Sequence, residues 1–173
     1  MTSEDQPAEM DQLVDEDRAR ARAFNDEVQL ARGRYLEVMA LADKALTEWF
    51  MFRLGVQDDA MELFRRLVET GQLGARIELF RDFGETPEHK EIGKQLEEQN
   101  TFRNRLAHGM LFPAPDPDTS FPEIGPDWEI EVSKRTGVKK CAVTAVEIEA
   151  RRGQVLDLAN RLRRLTVDVL KSG

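Results

Sequence analysis

Thr86–Gly109 reads TPEHKEIGKQLEEQNTFRNRLAHG, and its period sets the architecture. Thr86 is a helix N-cap residue type, Pro87 suits the first helical position, and Gly109 ends helices. On a wheel of about 100° per residue with Arg103 at zero, Ile92, Leu96, Gln99, Phe102 and Leu106 fall between about 260° and about 20°. That arc is the buried face. Arg103 lies on it or at its edge. Asn100, Asn104 and His108 follow at about 60°, 100° and 140°, one polar stripe beside the core. Ala107 stands between Arg103 and the stripe and leaves room, while Arg105 points elsewhere.

A helix with one apolar face requires partners, and the flanking sequence supplies them. Upstream, Val28, Ala31, Tyr35, Val38, Met39, Ala42, Leu46, Trp49 and Phe50 recur at helical spacing, together with Leu30, Leu41, Ala45 and Phe52. This predicts a long, central helix closed by Gly55. Asp58 caps a second helix through Met61, Phe64, Leu67 and Val68 to Gly71. A third carries Leu73, Ile77, Leu79, Phe80 and Phe83 to Gly84. Downstream, FPAPDPDTSFPEIGP (Phe112–Pro126) holds five of the seven prolines and excludes a helix. Trp128–Val132 alternates as a strand, Lys134–Gly137 is a turn, and Val138–Thr144 is the return strand of a hairpin. A last helix runs from Ala145 to Leu170. The expected fold is all-α: an antiparallel helical bundle with a short β-hairpin inserted before the last helix. The expected core includes Trp49, Phe50, Ile77, Phe80, Leu96, Phe102, Leu106, Leu158 and Leu162.

The 173 residues suffice for one domain. Residues 1–27 form an acidic, flexible N-terminal segment with nine acids against three arginines, and 28–173 form the helical domain. That division splits the net charge of −8 into −6 and −2. The body is therefore close to neutral and free to present a local basic patch. The single cysteine, Cys141, rules out an intrachain disulfide framework and a cysteine-based zinc site. No cluster resembles a metal site, no glycine-rich phosphate loop is present, and no cofactor is expected. No apolar run reaches the ~18 residues of a membrane span, and the polar start is no secretory signal, so the expected location is the cytoplasm.

The segment FRNRLAHG concentrates two arginines, an asparagine and one of the two histidines at a helix end. A histidine in a last turn suits the helix dipole, and an arginine near a bundle core suits an acid from another helix. The same groups also suit a phosphodiester. Metal-free RNA cleavage by the ribose 2′-hydroxyl requires a proton acceptor, a proton donor and positive charge on the phosphate. Histidine titrates near neutral pH, and arginine grips two phosphate oxygens at once.

Arg103-Asn104 followed by His108, with the Leu-Ala-His-Gly ending, resembles the HEPN superfamily. Its signature is an arginine, commonly followed by asparagine, with a histidine four to six residues beyond. The resemblance spans roughly 28–170, where element order also fits, but only the motif is specific. It implies an all-helical, dimeric protein and a metal-independent endoribonuclease of the toxin–antitoxin or defence type. Arg103, Asn104 and His108 would be catalytic, at a composite site formed by two copies. RNA and a second copy are the implied partners, with an antitoxin or other protein as a further one. The alternative is a HEPN-like bundle without catalysis, acting as an RNA-binding, regulatory or protein-interaction module. LGARIELF (Leu73–Phe80) carries a weaker similarity to mannitol-repressor-type regulators.

Asn100 shares the motif's stripe. Lys134, Arg135, Lys139 and Lys140 on the hairpin suit phosphate-backbone contacts as well as they suit a solvated turn. Arg151, Arg152, Arg161, Arg163 and Arg164 read as a charged solvent face, and His89 as a surface residue.

Overall fold

A computed structural model of the chain describes residues 6–56, 72–108, 110–115, 124–134 and 137–172. The expected helix from Asp58 to Gly71 lies outside them. The described elements are α1 (Gln6–Arg53), α2 (Leu73–Phe83), α3 (Pro87–His108), β1 (Met110–Pro115), β2 (Ile124–Lys134), β3 (Gly137–Val143) and α4 (Ala145–Ser172). The four helices form a helical bundle. None of them is long and apolar enough to cross a membrane.

α1 starts at Gln6, well before the apolar pattern begins at Val28. Its 48 residues span about 72 Å at 1.5 Å each. Ahead of Val28, the described side chains of Glu16, Ala19, Arg22, Ala23, Asp26 and Glu27 are exposed. This part of α1 is continuous in backbone with the apolar stretch that follows. From Val28 to Met51 one face is buried, including Tyr35, Leu46 and Trp49. The helix closes where Gly55 takes a φ of 60°. Its N–H donates to the Phe52 carbonyl and that of Val56 to the Met51 carbonyl, which satisfies two terminal acceptors.

α3 begins as its sequence dictates. Thr86 Oγ1 accepts the His89 backbone N–H at 3.4 Å, and Pro87 occupies the first turn. α4 is capped by Thr144, whose Oγ1 accepts the Glu147 N–H at 3.0 Å. Ile92, Leu96, Gln99, Phe102 and Leu106 of α3 are all buried. They meet a core that also contains Ile77 and Phe80 of α2, and Ile148, Val155, Leu158 and Leu162 of α4.

Contacts fix the helix directions. Arg32 reaches Ala107 and Tyr35 reaches Gln99, so α1 and α3 run antiparallel. Gln99 meets Gln154, and Gln95 meets Arg161, so α3 and α4 are antiparallel too. α1 and α4 therefore run the same way, with Arg34 near Glu149 at 3.6 Å. α2 also opposes α3: Gly74 lies against Asn100, and Arg81 pairs with Glu97. Among the described helices, α3 runs opposite to α1, α2 and α4, and the successive pairs α2/α3 and α3/α4 are antiparallel.

Between α3 and α4 the chain makes a three-stranded antiparallel sheet in the order β1-β2-β3. Trp128 pairs with Val143, and Lys134 with Gly137. The sequence reading assigned no strand to the proline-rich stretch, yet Met110, Leu111 and Phe112 pair with Glu131, Ile130 and Glu129. β1 lies at a sheet edge, where proline's missing N–H is tolerated, and the register shifts between Pro113 and Pro115.

Candidate functional site

The motif occupies the last two turns of α3, and the wheel places its groups as they stand. Phe102 and Leu106 are buried, Arg103 and Ala107 half-buried, and Asn104 and His108 exposed. The Arg103 Nη1 donates to Asn104 Oδ1 at 3.0 Å. Arg103 has no acidic partner among the described residues. His108 stands one turn beyond Asn104 on the same stripe and likewise has no partner among them.

Two more arginines converge on this helix end. Arg32 of α1 donates through Nη2 to the Ala107 carbonyl at 3.3 Å. It supplies one of the donors that a helix C-terminus lacks. Arg151 of α4 lies over the Phe102 ring, 4.3 Å from its centroid, while its Nε donates to Glu147. Beneath them, Tyr35 is fully buried and packs edge-on against Phe102 at 5.3 Å. Burial pushes the Tyr35 phenol well above its usual pKa, and the Arg151 and Arg103 guanidiniums oppose that shift. The Tyr35 O–H donates to the Gln99 carbonyl at 2.8 Å, and Gln99 Nε2 donates in turn to Gln154 Oε1 at 2.8 Å. This polar thread ties α1, α3 and α4 together under the motif.

Arg32 escaped the sequence reading, and Arg151 was assigned there to a solvent face. Neither carries a local signal, because only the packing of α1 and α4 against α3 brings them to it. Asn100 is half-buried under the first turn of α2, and its Oδ1 is buried without a partner. Arg135 lies outside the described residues. Of Lys134, Lys139 and Lys140 the backbone alone is described, with Lys139 opposite Val132 and Lys140 opposite Glu131. Among the described residues no three of histidine, cysteine, aspartate and glutamate gather as a metal site would require.

His89 is not the plain surface residue the sequence suggested. Its ring stands 5.5 Å from that of Trp49 and 5.4 Å from that of Phe80. Thr86 Oγ1 lies 2.6 Å from its Nδ1. Burial lowers its pKa below 6.5, with Glu88 opposing, Arg53 assisting and Glu85 opposing. It belongs to an aromatic cluster at the opposite end of α3 from the motif.

No family model, curated protein or solved structure matches the chain.

Proposed function

We propose that the chain is a metal-independent endoribonuclease of the HEPN type. It acts as a homodimer in which two FRNRLAHG segments face each other, in a toxin or defence setting. The observation that carries this reading is the state of Arg103: a half-buried guanidinium at a helix end, without an acid among the described residues, beside Asn104 and one turn from His108. An arginine that served packing alone would be expected to pair with a carboxylate, as Arg76 does with Asp43. Arg32, which has no acidic partner among the described residues, adds positive potential at the same end of the bundle despite the chain's net charge of −8, while Arg151 beside it is paired with Glu147.

The chemistry follows from these groups. Arg103 holds two non-bridging oxygens of the scissile phosphate and offsets the negative charge that grows on them. The His108 of one copy takes the 2′-hydroxyl proton as that oxygen bonds to phosphorus. The second copy's histidine gives a proton to the departing 5′-oxygen. Asn104, through Oδ1, fixes the guanidinium's plane. The products are a 2′,3′-cyclic phosphate and a 5′-hydroxyl.

A non-catalytic RNA-binding or protein-interaction module is the second reading, favoured by one observation: His108 has no orienting partner among the described residues of its own chain. Incubation with mixed RNA, with and without chelator, tests the first. Arg103→Ala and His108→Ala should each lower the cleavage rate on the order of a hundredfold or more while the dimer stays folded. Arg103→Lys should rescue poorly because lysine lacks the two-pronged contact. Cleavage unchanged in His108→Ala would place the chemistry elsewhere. Intact RNA with wild-type protein that still binds it would favour the second reading.

A further inference from the structure

α1 and α4 leave part of their joint surface uncovered, and that part is apolar. Leu30, Leu41 and Phe52 of α1 and Val146, Leu156 and Val167 of α4 are between 38 % and 78 % exposed. At about 100° per residue, Leu30, Arg34, Leu41, Glu48 and Phe52 fall within about 40° of one another on α1. On α4, Val146, Glu149, Leu156, Arg163 and Val167 share one side within about 100°. Both rows lie across their helices from the contacts to α3. Those contacts are made by Arg32 of α1, which reaches Ala107, and by Gln154 and Arg161 of α4, which reach Gln99 and Gln95.

The two helices run the same way, and the Arg34–Glu149 pair at 3.6 Å fixes their register. At that offset Leu41 stands beside Leu156, Phe52 beside Val167, and Leu30 beside Val146 to within one residue. Glu48 falls beside Arg163. The six apolar residues thus form one strip along both helices, whereas single exposed hydrophobics would need no explanation.

The spacing of this strip is self-complementary. Leu30, Leu41 and Phe52 recur at equal intervals along α1. Turned end for end about Leu41, the α1 row puts Leu30 against Phe52 and Arg34 against Glu48. Turned about Leu156, the α4 row puts Val146 against Val167, to within one residue, and Glu149 against Arg163. Apolar groups meet apolar groups, and each charge meets its opposite. One two-fold axis across the helices performs both turns, because Leu41 and Leu156 stand side by side. Among the described residues Arg163 has no acidic partner, and Glu48 reaches only Lys44, at 3.9 Å.

We propose that a second copy docks antiparallel on this strip, α1 against α1 and α4 against α4. From Leu30 to Phe52 the strip is about 33 Å long, and two helices are about 20 Å wide, so the two copies together bury about 1,300 Å². A stable interface needs about 1,000 Å². A row whose charges invert about its own centre fits another copy of itself better than an unrelated partner. The interface goes beyond the motif-to-motif contact of the nuclease reading and does not rest on it, because the strip and α3 lie on opposite sides of α1 and α4. A chain that uses both contacts forms assemblies larger than a dimer.

Sedimentation velocity of the full chain at micromolar concentration tests this. Leu41→Glu combined with Leu156→Glu should halve the mass of the assembly, by raising its dissociation constant on the order of a hundredfold or more. The circular dichroism spectrum should not change, because both residues are exposed. A short thiol-specific cross-linker should join two copies of Leu41→Cys in a Cys141→Ser background, since the axis brings Leu41 against its own counterpart. A wild-type chain that sediments as a monomer, or an assembly unmoved by the double glutamate variant, overturns the proposal. An intact assembly in which Leu41→Cys does not cross-link overturns the antiparallel docking. Wild-type protein that cleaves no RNA, yet dissociates in the glutamate variant, leaves this interface standing and removes the nuclease reading alone.

Discussion

Replacing Tyr35 with phenylalanine removes one oxygen from the thread that joins three helices. The Gln99 carbonyl is an acceptor within α3, so it keeps the chance of a helical partner when the phenol is gone. The Gln99 side chain does not, because its Oε1, the longer branch at 3.2 Å of the same shared Tyr35 proton, has no other donor among the described residues, and Gln99 is 4 % exposed. Leaving a buried acceptor unmade costs about 1–3 kcal/mol, whereas removing both partners of such a bond is close to neutral. Tyr35→Phe should therefore destabilise by about 1–2 kcal/mol, a fall in melting temperature of roughly 2–4 °C per kcal/mol for a chain of this size. In Gln99→Leu the phenol still reaches the backbone carbonyl, and the half-exposed face of Gln154 turns to water. The double variant removes the orphaned Oε1 and should cost less than the sum of the singles, with a coupling of about 1 kcal/mol. Urea unfolding of all four proteins closes the cycle. Additive costs, or a Tyr35→Phe change below about 0.3 kcal/mol, would refute the claim that this network is energetically connected.

Three further expectations rest on other contacts. His89 has a folded pKa held below 6.5, so the unfolded chain takes its proton first as pH falls. The His89 contribution to stability is complete above 6.5 and is lost as pH drops through it toward the lower folded value. Melting curves between pH 7.5 and 5.5 should show that slope, and His89→Phe should flatten it. A Cβ on Gly93 would collide with the Arg81 side chain. Gly93→Ala alone should gain little, because the displaced Arg81 offsets the helix-propensity gain, while in an Arg81→Ala background it should stabilise by about 1 kcal/mol. Chemical denaturation of both backgrounds checks the sign. Phe102→Ala removes a ring packed by Tyr35 and Arg151 and should cost about 3–5 kcal/mol, read by the same method.

Periodicity carried most of the helical fold. The arc from Ile92 to Leu106 is buried as the wheel required, and Thr86 and Pro87 open α3 where their chemistry predicts. A period states which face is buried but not against what, so helix direction was not legible. Nothing in the pattern of α4 says that it runs alongside α1 rather than against it. β1 was hidden because prolines argue against strands, while an edge position removes the objection. The early start of α1 was hidden because its described residues before Val28 show no apolar face to read. At the site, Arg103, Asn104 and His108 were visible because they share one helix. Arg32 and Arg151 arrive from helices at opposite ends of the chain, and Arg76 looked like any charge in a short amphipathic segment.

Among the described helices the pairing of α1 with α4 is the most extensive, and it joins segments far apart in sequence. During synthesis the long helix is made well before the surface that covers it. Closing so distant a contact carries a loop-entropy cost that local contacts do not, and it belongs to the late part of folding. Until then, among the described elements, α2 and α3 are what can shelter Tyr35, Leu46 and Trp49. The growing chain therefore passes through a stage with a sticky, half-covered helix, when it is most dependent on chaperones and most exposed to wrong pairing with a second copy.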